Sequence, residues 1–162
     1  MVTWLLAWKL AVVAIVTGHD PSDALLFAET CQREATPLVT AHRLCAVAWV
    51  ESRLRPRAVN GGGHCGAWQQ HPRWSQMWGD DCYTAEGVLT CRQPGGDGVT
   101  CGELTGDVNT AGRVAARHLH YLTARYGTGA LCRYAGATGV RCIRYASRVR
   151  KIELMLGGQY GT

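Results

Sequence analysis

The sequence predicts a mainly α-helical domain, interrupted by one irregular lobe that disulfides hold together. Three observations carry this. Two proline-marked starts, Asp20-Pro21 and Thr36-Pro37, each lead into an apolar run, and a third run at helical spacing follows from Val108. Between the second and third, Gly79 to Gly106 holds seven glycines and three cysteines with no helical period. The chain also has eight cysteines, an even set without a CxxC pair, so disulfides are expected in preference to zinc.

In order along the chain, Val2 to Val16 is apolar except for Thr3 and Lys9. That is the length of a signal-peptide hydrophobic region and short for a membrane span. No basic residue precedes it. Export with cleavage after Gly18 is the expectation; retained, residues 1–17 would serve as a weak membrane anchor or as a helix of the core. Residues 19–162 then form the domain. Asp20 as N-cap and Pro21 as first helical residue open a helix to about Glu34. Thr36-Pro37 opens a second, which ends near Arg53 because Pro56 disfavours helical geometry at Arg55. A glycine-rich loop, Asn60 to Gly66, and a tryptophan-rich stretch from Trp68 to Trp78 follow. The insertion at about 79–106 comes next. The third long helix places Val108, Ala111, Ala115, Leu119 and Leu122 on one face and stops at Gly127. Helical pieces around Leu131 and from Cys142 to about Leu156 complete the chain. Cys132 with Cys142 is the favoured bridge and Cys31 with Cys45 the second; three connectivities stay open for the other four cysteines.

At 162 residues, 47% of them hydrophobic and 18% charged, the chain is one globular domain and not a disordered one. Its net charge of +5 suits polyanionic partners: nucleic acid, an anionic membrane, or the bacterial wall. A nucleic-acid role is not expected, because the arginines form no recognised motif or stripe and the cysteines argue against an intracellular site.

The chemistry concentrates at the end of the second helix. Leu44, Val47 and Glu51 share a face, so Glu51 borders apolar residues. It also stands in the last turn, where the helix dipole disfavours a carboxylate. Both effects raise a carboxyl pKa, which suits a general acid. The bland alternative is an exposed glutamate paired with Arg53 or Arg55.

Glu51-Ser52, Pro56, Ala58, Asn60, Gly63, Gly66 and Gln69 match, without a gap, the pattern E-S-x-x-x-P-x-A, a polar residue two further on, then G-x-x-G-x-x-Q. This resembles the lytic transglycosylase signature of the lysozyme-like superfamily. Leu119 to Gly127, preceding Leu131 and Tyr134, resembles the family's long helix and tyrosine motif. Cys142, Tyr145, Ala146, Arg148 and Val149 resemble a closing pattern of some members, phage enzymes included. The resemblance covers about residues 37 to 150 apart from the insertion. It departs at Ala135, where the family has asparagine after the tyrosine, and at Ala67-Trp68 before the glutamine.

The resemblance implies a mainly α, α+β lysozyme-like fold and peptidoglycan glycan strands as substrate. Glu51 would protonate the oxygen between N-acetylmuramic acid and N-acetylglucosamine, then take the proton of the muramic C6 hydroxyl as it closes a 1,6-anhydro ring. Ser52 would lie near the reacting sugar and Gln69 would contact the glycan. Tyr134 would bond or orient Glu51, Gly63 and Gly66 would let the loop approach substrate, and Trp68 would stack on a sugar unless it is a core residue. No metal or organic cofactor is required, and a monomer is expected, extracytoplasmic or part of a phage. A hydrolytic muramidase is the alternative. It needs a second carboxylate, for which Asp80, Asp81, Glu86 and Asp97 are loop candidates. A catalytically weak wall-binding module is the other, with Ala135 in its favour.

Overall fold

The computed structural model describes residues 2–72, 82–85, 88–91 and 99–157. Among them the chain is mainly helical and carries three disulfides. Helix α1 (Val2–Val16) turns Leu6, Leu10, Val13 and Ala14 inward, a helical stripe packed on α2 (Ala24–Glu34). Trp4, Trp8, Ile15 and Val16 stand exposed on its other side. No helix of the described residues is long and apolar enough to cross a membrane.

Both proline-marked starts sit later than the sequence suggests. The Asp20 carboxylate accepts from the Ser22 amide, an Asx turn that places Pro21 before the helix, and α2 begins at Ala24. Thr36 and Val39 exchange backbone hydrogen bonds, and the Thr36 hydroxyl oxygen also accepts from the Val39 amide. Pro37 is therefore a turn residue. Helix α3 (Ala41–Ser52) starts five residues after Thr36, capped by Thr40, whose Oγ1 accepts from the Arg43 amide at 3.1 Å. Thr40→Ala should lower stability by about 1 kcal/mol, and this should be readable as a fall in urea midpoint without a change in slope.

Helix α3 is the centre of the core. Leu44 through Trp49 are all buried, so it has no solvent face over that stretch. Cys31–Cys45 ties it to α2, with Cα atoms 5.8 Å apart. The loop beyond α3 is stitched by Gly66 N–H to Ala58 C=O and by reciprocal bonds between Cys65 and Gln70. Cys65–Cys101 then fixes it to the next helix, which settles one of the pairings that spacing left open.

The insertion is not wholly irregular. Strands β1 (Cys82–Ala85) and β2 (Val88–Cys91) pair antiparallel, with Cys82 opposite Cys91. Helix α4 (Cys101–Gly106) occupies its end, closed by a capping box in which Thr100 accepts from the Glu103 amide and Glu103 accepts from the Thr100 amide.

Helix α5 (Val108–Tyr126) is capped by Asp107, which accepts from the Asn109 and Thr110 amides. It buries Ala111, Ala115, Leu119 and Leu122 and ends at Gly127. A 3-10 turn (Gly127–Gly129) leads into α6 (Ala130–Tyr134) and then α7 (Gly139–Met155), which opens three residues before Cys142. Cys132–Cys142 joins α6 to α7. Helix α7 packs on α3 with Tyr145 at Glu51 and Glu153 at Arg43, so the two run antiparallel.

Candidate active site

Glu51 stands half-buried in the last turn of α3. Immediately after it the backbone reverses through two left-handed residues that are not glycine, Arg53 (φ 60°) and Leu54 (φ 58°). Such geometry costs roughly 1–3 kcal/mol per residue and persists only where the surroundings enforce it. Here they do: the Arg53 amide and guanidinium both donate to Trp49 C=O, and Leu54 is buried. Ser52 completes the turn. Its hydroxyl donates to Ala48 C=O at 3.2 Å and accepts from the Arg55 amide at 3.0 Å. With Ser52 only 2% exposed and so engaged, its role near a reacting sugar is replaced by a role in the backbone that carries Glu51.

Helix α7 supplies the partner. The Tyr145 hydroxyl donates to Glu51 Oε1 at 2.5 Å. Burial pushes the Glu51 carboxyl above the usual carboxylate range; the Tyr145 bond and the Arg148 guanidinium pull it back without cancelling the rise. Burial and the Glu51 charge together hold the Tyr145 hydroxyl well above the ordinary tyrosine range, so it stays a donor. A carboxyl whose pKa is raised by burial, beside a fixed hydroxyl, suits proton donation to an ether oxygen.

Burial first, and the Glu51 charge after it, push the hydroxyl of Tyr134, at the end of α6, well above the ordinary tyrosine range. Its hydroxyl does not donate to the glutamate, however. It donates to Trp68 C=O at 2.7 Å and accepts from Gln70 Nε2. Gln70 in turn faces His118 through its Oε1, 3.1 Å from His118 Nδ1, and the His118 ring packs against Tyr134 with centroids 5.2 Å apart. Enclosure lowers the His118 pKa to about 4, so that ring is neutral at physiological pH.

Several expectations from the sequence are corrected here. Trp68 is fully buried and its indole N–H donates to Leu44 C=O at 2.9 Å, so it is a core tryptophan with no face for a sugar. Gln69 turns back on its own loop, at φ 50°, and Nε2 donates to Ala58 C=O and Gly66 C=O. The glutamine that leaves the loop is its neighbour Gln70, which reaches Tyr134 and His118. Gly66 has φ 75°, and a Cβ there would meet the Leu104 carbonyl oxygen, so the close approach is to α4 rather than to a substrate. Ala135 closes the turn after α6 through its amide to Leu131 C=O and packs, partly buried, against the core. Asp80, Asp81, Glu86 and Asp97 lie outside the described residues.

The site's remaining members have weaker signals in the sequence. Tyr145 and Arg148 are visible as an i, i+3 pair on α7, but nothing in their spacing points at Glu51. Gln70 and His118 carry no sequence signal of their own. Among the described residues no group of three or more His, Cys, Asp or Glu side chains is arranged to hold a metal.

A groove of about 960 Å³ lies toward the other end of the α3–α7 pair, bounded by Thr40, Arg43, Leu131, Arg150 and Glu153. Glu51 does not line it. Glu153 there is the other buried carboxylate of this helix pair, but Arg43 and Thr40 already engage its two oxygens, at 3.3 and 3.4 Å. That makes it an ion-pair member of the scaffold. Comparison of the chain with protein-family models, with curated proteins and with solved structures gives no match.

Proposed function

We propose that this chain is a peptidoglycan lytic transglycosylase of lysozyme-like fold, with Glu51 as its single acid/base. The observation that carries the reading is the half-buried Glu51 carboxyl, raised in pKa by burial and held by the Tyr145 hydroxyl. The matched positions from Glu51 to Gln69 supply the substrate class. In the proposed reaction the Glu51 proton passes to the glycosidic oxygen between N-acetylmuramic acid and N-acetylglucosamine, and the bond to the muramic anomeric carbon breaks. The muramic C6 oxygen then attacks that carbon while Glu51 takes back the C6 hydroxyl proton. The substrate provides the nucleophile, so one protein carboxylate suffices, whereas a hydrolase of the usual kind needs two.

Three disulfides agree with an oxidising, extracytoplasmic setting, where the wall is found. The exposed Trp4 and Trp8 on α1 fit a weak association of residues 1–17 with a membrane surface, should that segment be retained.

The test is mass spectrometry of products released from purified peptidoglycan by the oxidised protein. Anhydro-muropeptides are expected. Reducing ends would replace the reading with a muramidase, and no release would replace it with a wall-binding module.

A further inference from the structure

We propose that the outer face of α1 is a seat for a lipid bilayer, on which the helix lies along the membrane surface rather than across it. This seating is independent of the chemistry at Glu51.

Helix α1 is apolar on both sides. Its inner stripe, Leu6, Leu10, Val13 and Ala14, is buried in the core. The opposite stripe carries Trp4, Leu5, Trp8, Val12, Ile15 and Val16, all exposed. Trp4, Trp8, Val12 and Val16 follow one another at i, i+4, i+8 and i+12, so they stand in one row. Trp4 is 68% exposed and Trp8 63%. The two indoles alone leave roughly 200–300 Å² in water. A soluble monomer rarely exposes a contiguous apolar patch beyond a few hundred Å², and the four aliphatic side chains take this one past that size. Lys9 is the helix's single charged residue. It borders the outer stripe, and its ammonium fills the space that a Cβ on Gly157, just beyond α7, would need.

Length and packing fix the orientation. The 15 residues of α1 measure about 22 Å as an α-helix, short of a hydrocarbon core about 30 Å thick. The inner stripe is also committed to the protein, so α1 cannot leave the domain to span. Lying on the surface, it buries the outer stripe and leaves the rest of the domain in water. The chemistry of the stripe selects the occupant. Its only hydrogen-bonding groups are the Trp4 and Trp8 indole N–H, which donate and do not accept. Against the same stripe of a second copy both would be buried without an acceptor, which costs free energy. At the headgroup boundary of a bilayer, phosphate and ester oxygens accept from them while the rings lie on the acyl chains, a placement tryptophan favours. The net charge of +5 complements anionic lipid, and α1 contains no acidic residue.

The experiment is flotation of the oxidised full chain with vesicles of phosphatidylglycerol and phosphatidylethanolamine. The parent should float with them. Trp4→Gln combined with Trp8→Gln should bind about tenfold more weakly or worse, with an unchanged melting temperature because both side chains point away from the core. Ile15→Asp, on the same stripe, is the second variant and should also weaken binding. Val140→Gln with Ile143→Gln removes side chains of similar exposure at the other end of α7, roughly 20–25 Å from Gly157, and should bind as the parent does. Lipids brominated near the headgroup should quench the emission that the tryptophan pair contributes more than lipids brominated at the chain ends. A parent that stays with the soluble fraction, or a tryptophan variant that floats equally well, overturns the proposal. Stronger quenching from the chain ends overturns the in-plane placement. A dimer in sedimentation that the tryptophan variant disperses, without vesicle binding, gives the stripe to a second copy instead, and an exported protein that has lost residues 1–18 overturns the seat as well. Glu51→Gln should float as the parent does. Flotation without cleavage therefore leaves the seat standing and fails the proposed activity, while cleavage without flotation does the reverse.

Discussion

Glu51→Gln is expected to reduce strand cleavage about a thousandfold, within the range that a positioned general acid contributes, while leaving the fold intact. The substitution is close to isosteric, and the amide oxygen can still accept from the Tyr145 hydroxyl that now reaches Oε1. What it removes is the transferable proton. Cleavage by the unmodified protein should fall as pH rises through the elevated Glu51 pKa, because the free protein must enter the reaction protonated. The same elevation has a consequence for stability. A carboxyl whose pKa is higher folded than unfolded stabilises the fold below its unfolded pKa, and that contribution is lost as pH rises through the folded value. At pH about 7, well above the unfolded pKa of a glutamate, the raised folded pKa of half-buried Glu51 thus works against the fold, and Glu51→Gln should melt higher than the parent. At pH about 4 and below, where the parent carboxyl is protonated in both states, the gap should close. Melting curves at the two pH values check this. A lower melting temperature for the variant at the higher pH would falsify the raised pKa, whatever the activity assay says.

The sequence made Glu51 legible because its two determinants are local: a helix period that sets its face, and a proline that ends the helix behind it. Two disulfides were legible for the same reason. Cys31 and Cys45 sit on consecutive helices, and Cys132 and Cys142 flank one short connection. Other features depend on which way a side chain turns, and spacing does not encode that. Thr36-Pro37 reads equally as a helix start or a turn, because proline's fixed φ suits both. The turn prevails here because Thr40 offers the cap four residues later. Helix α4 announces itself only through Thr100 and Glu103, a capping-box spacing hidden among glycines in a segment with no helical period. In the loop after α3, motif spacing singles out Gln69 and says nothing of its neighbour Gln70. Gln69, at φ 50°, braces the loop, and Gln70 reaches Tyr134. Tyr145 and His118 join the cluster from separate helices, contacts of long sequence separation that no local pattern records.

Gly66→Ala should be the most damaging single substitution in the loop, costing roughly 3–5 kcal/mol, at the upper end of what single changes do. Two separate effects add. At φ 75° an alanine sits in left-handed backbone, a strain of roughly 1–2 kcal/mol. Its Cβ would also meet the backbone carbonyl of Leu104, and a carbonyl inside α4 cannot swing aside like a flexible side chain. Either α4 must move, against the Cys65–Cys101 bridge that fixes it one residue away, or the loop must lift and take Gln70 with it. Gly63 is the internal control. Its φ is 78°, nearly the same, but a Cβ there meets only the His71 ring at ordinary contact distance, 3.5 Å. Gly63→Ala should therefore show the backbone strain alone, about 1 kcal/mol. Denaturant unfolding of the two variants separates the contributions. Equal losses would mean that the contact with Leu104 does not matter, and would reopen the reading of Gly66 as the point where the loop meets a substrate. A several-fold larger free-energy loss at Gly66, with cleavage reduced even below the unfolding transition, would mean that the loop is held against α4 in order to hold Gln70 against Tyr134.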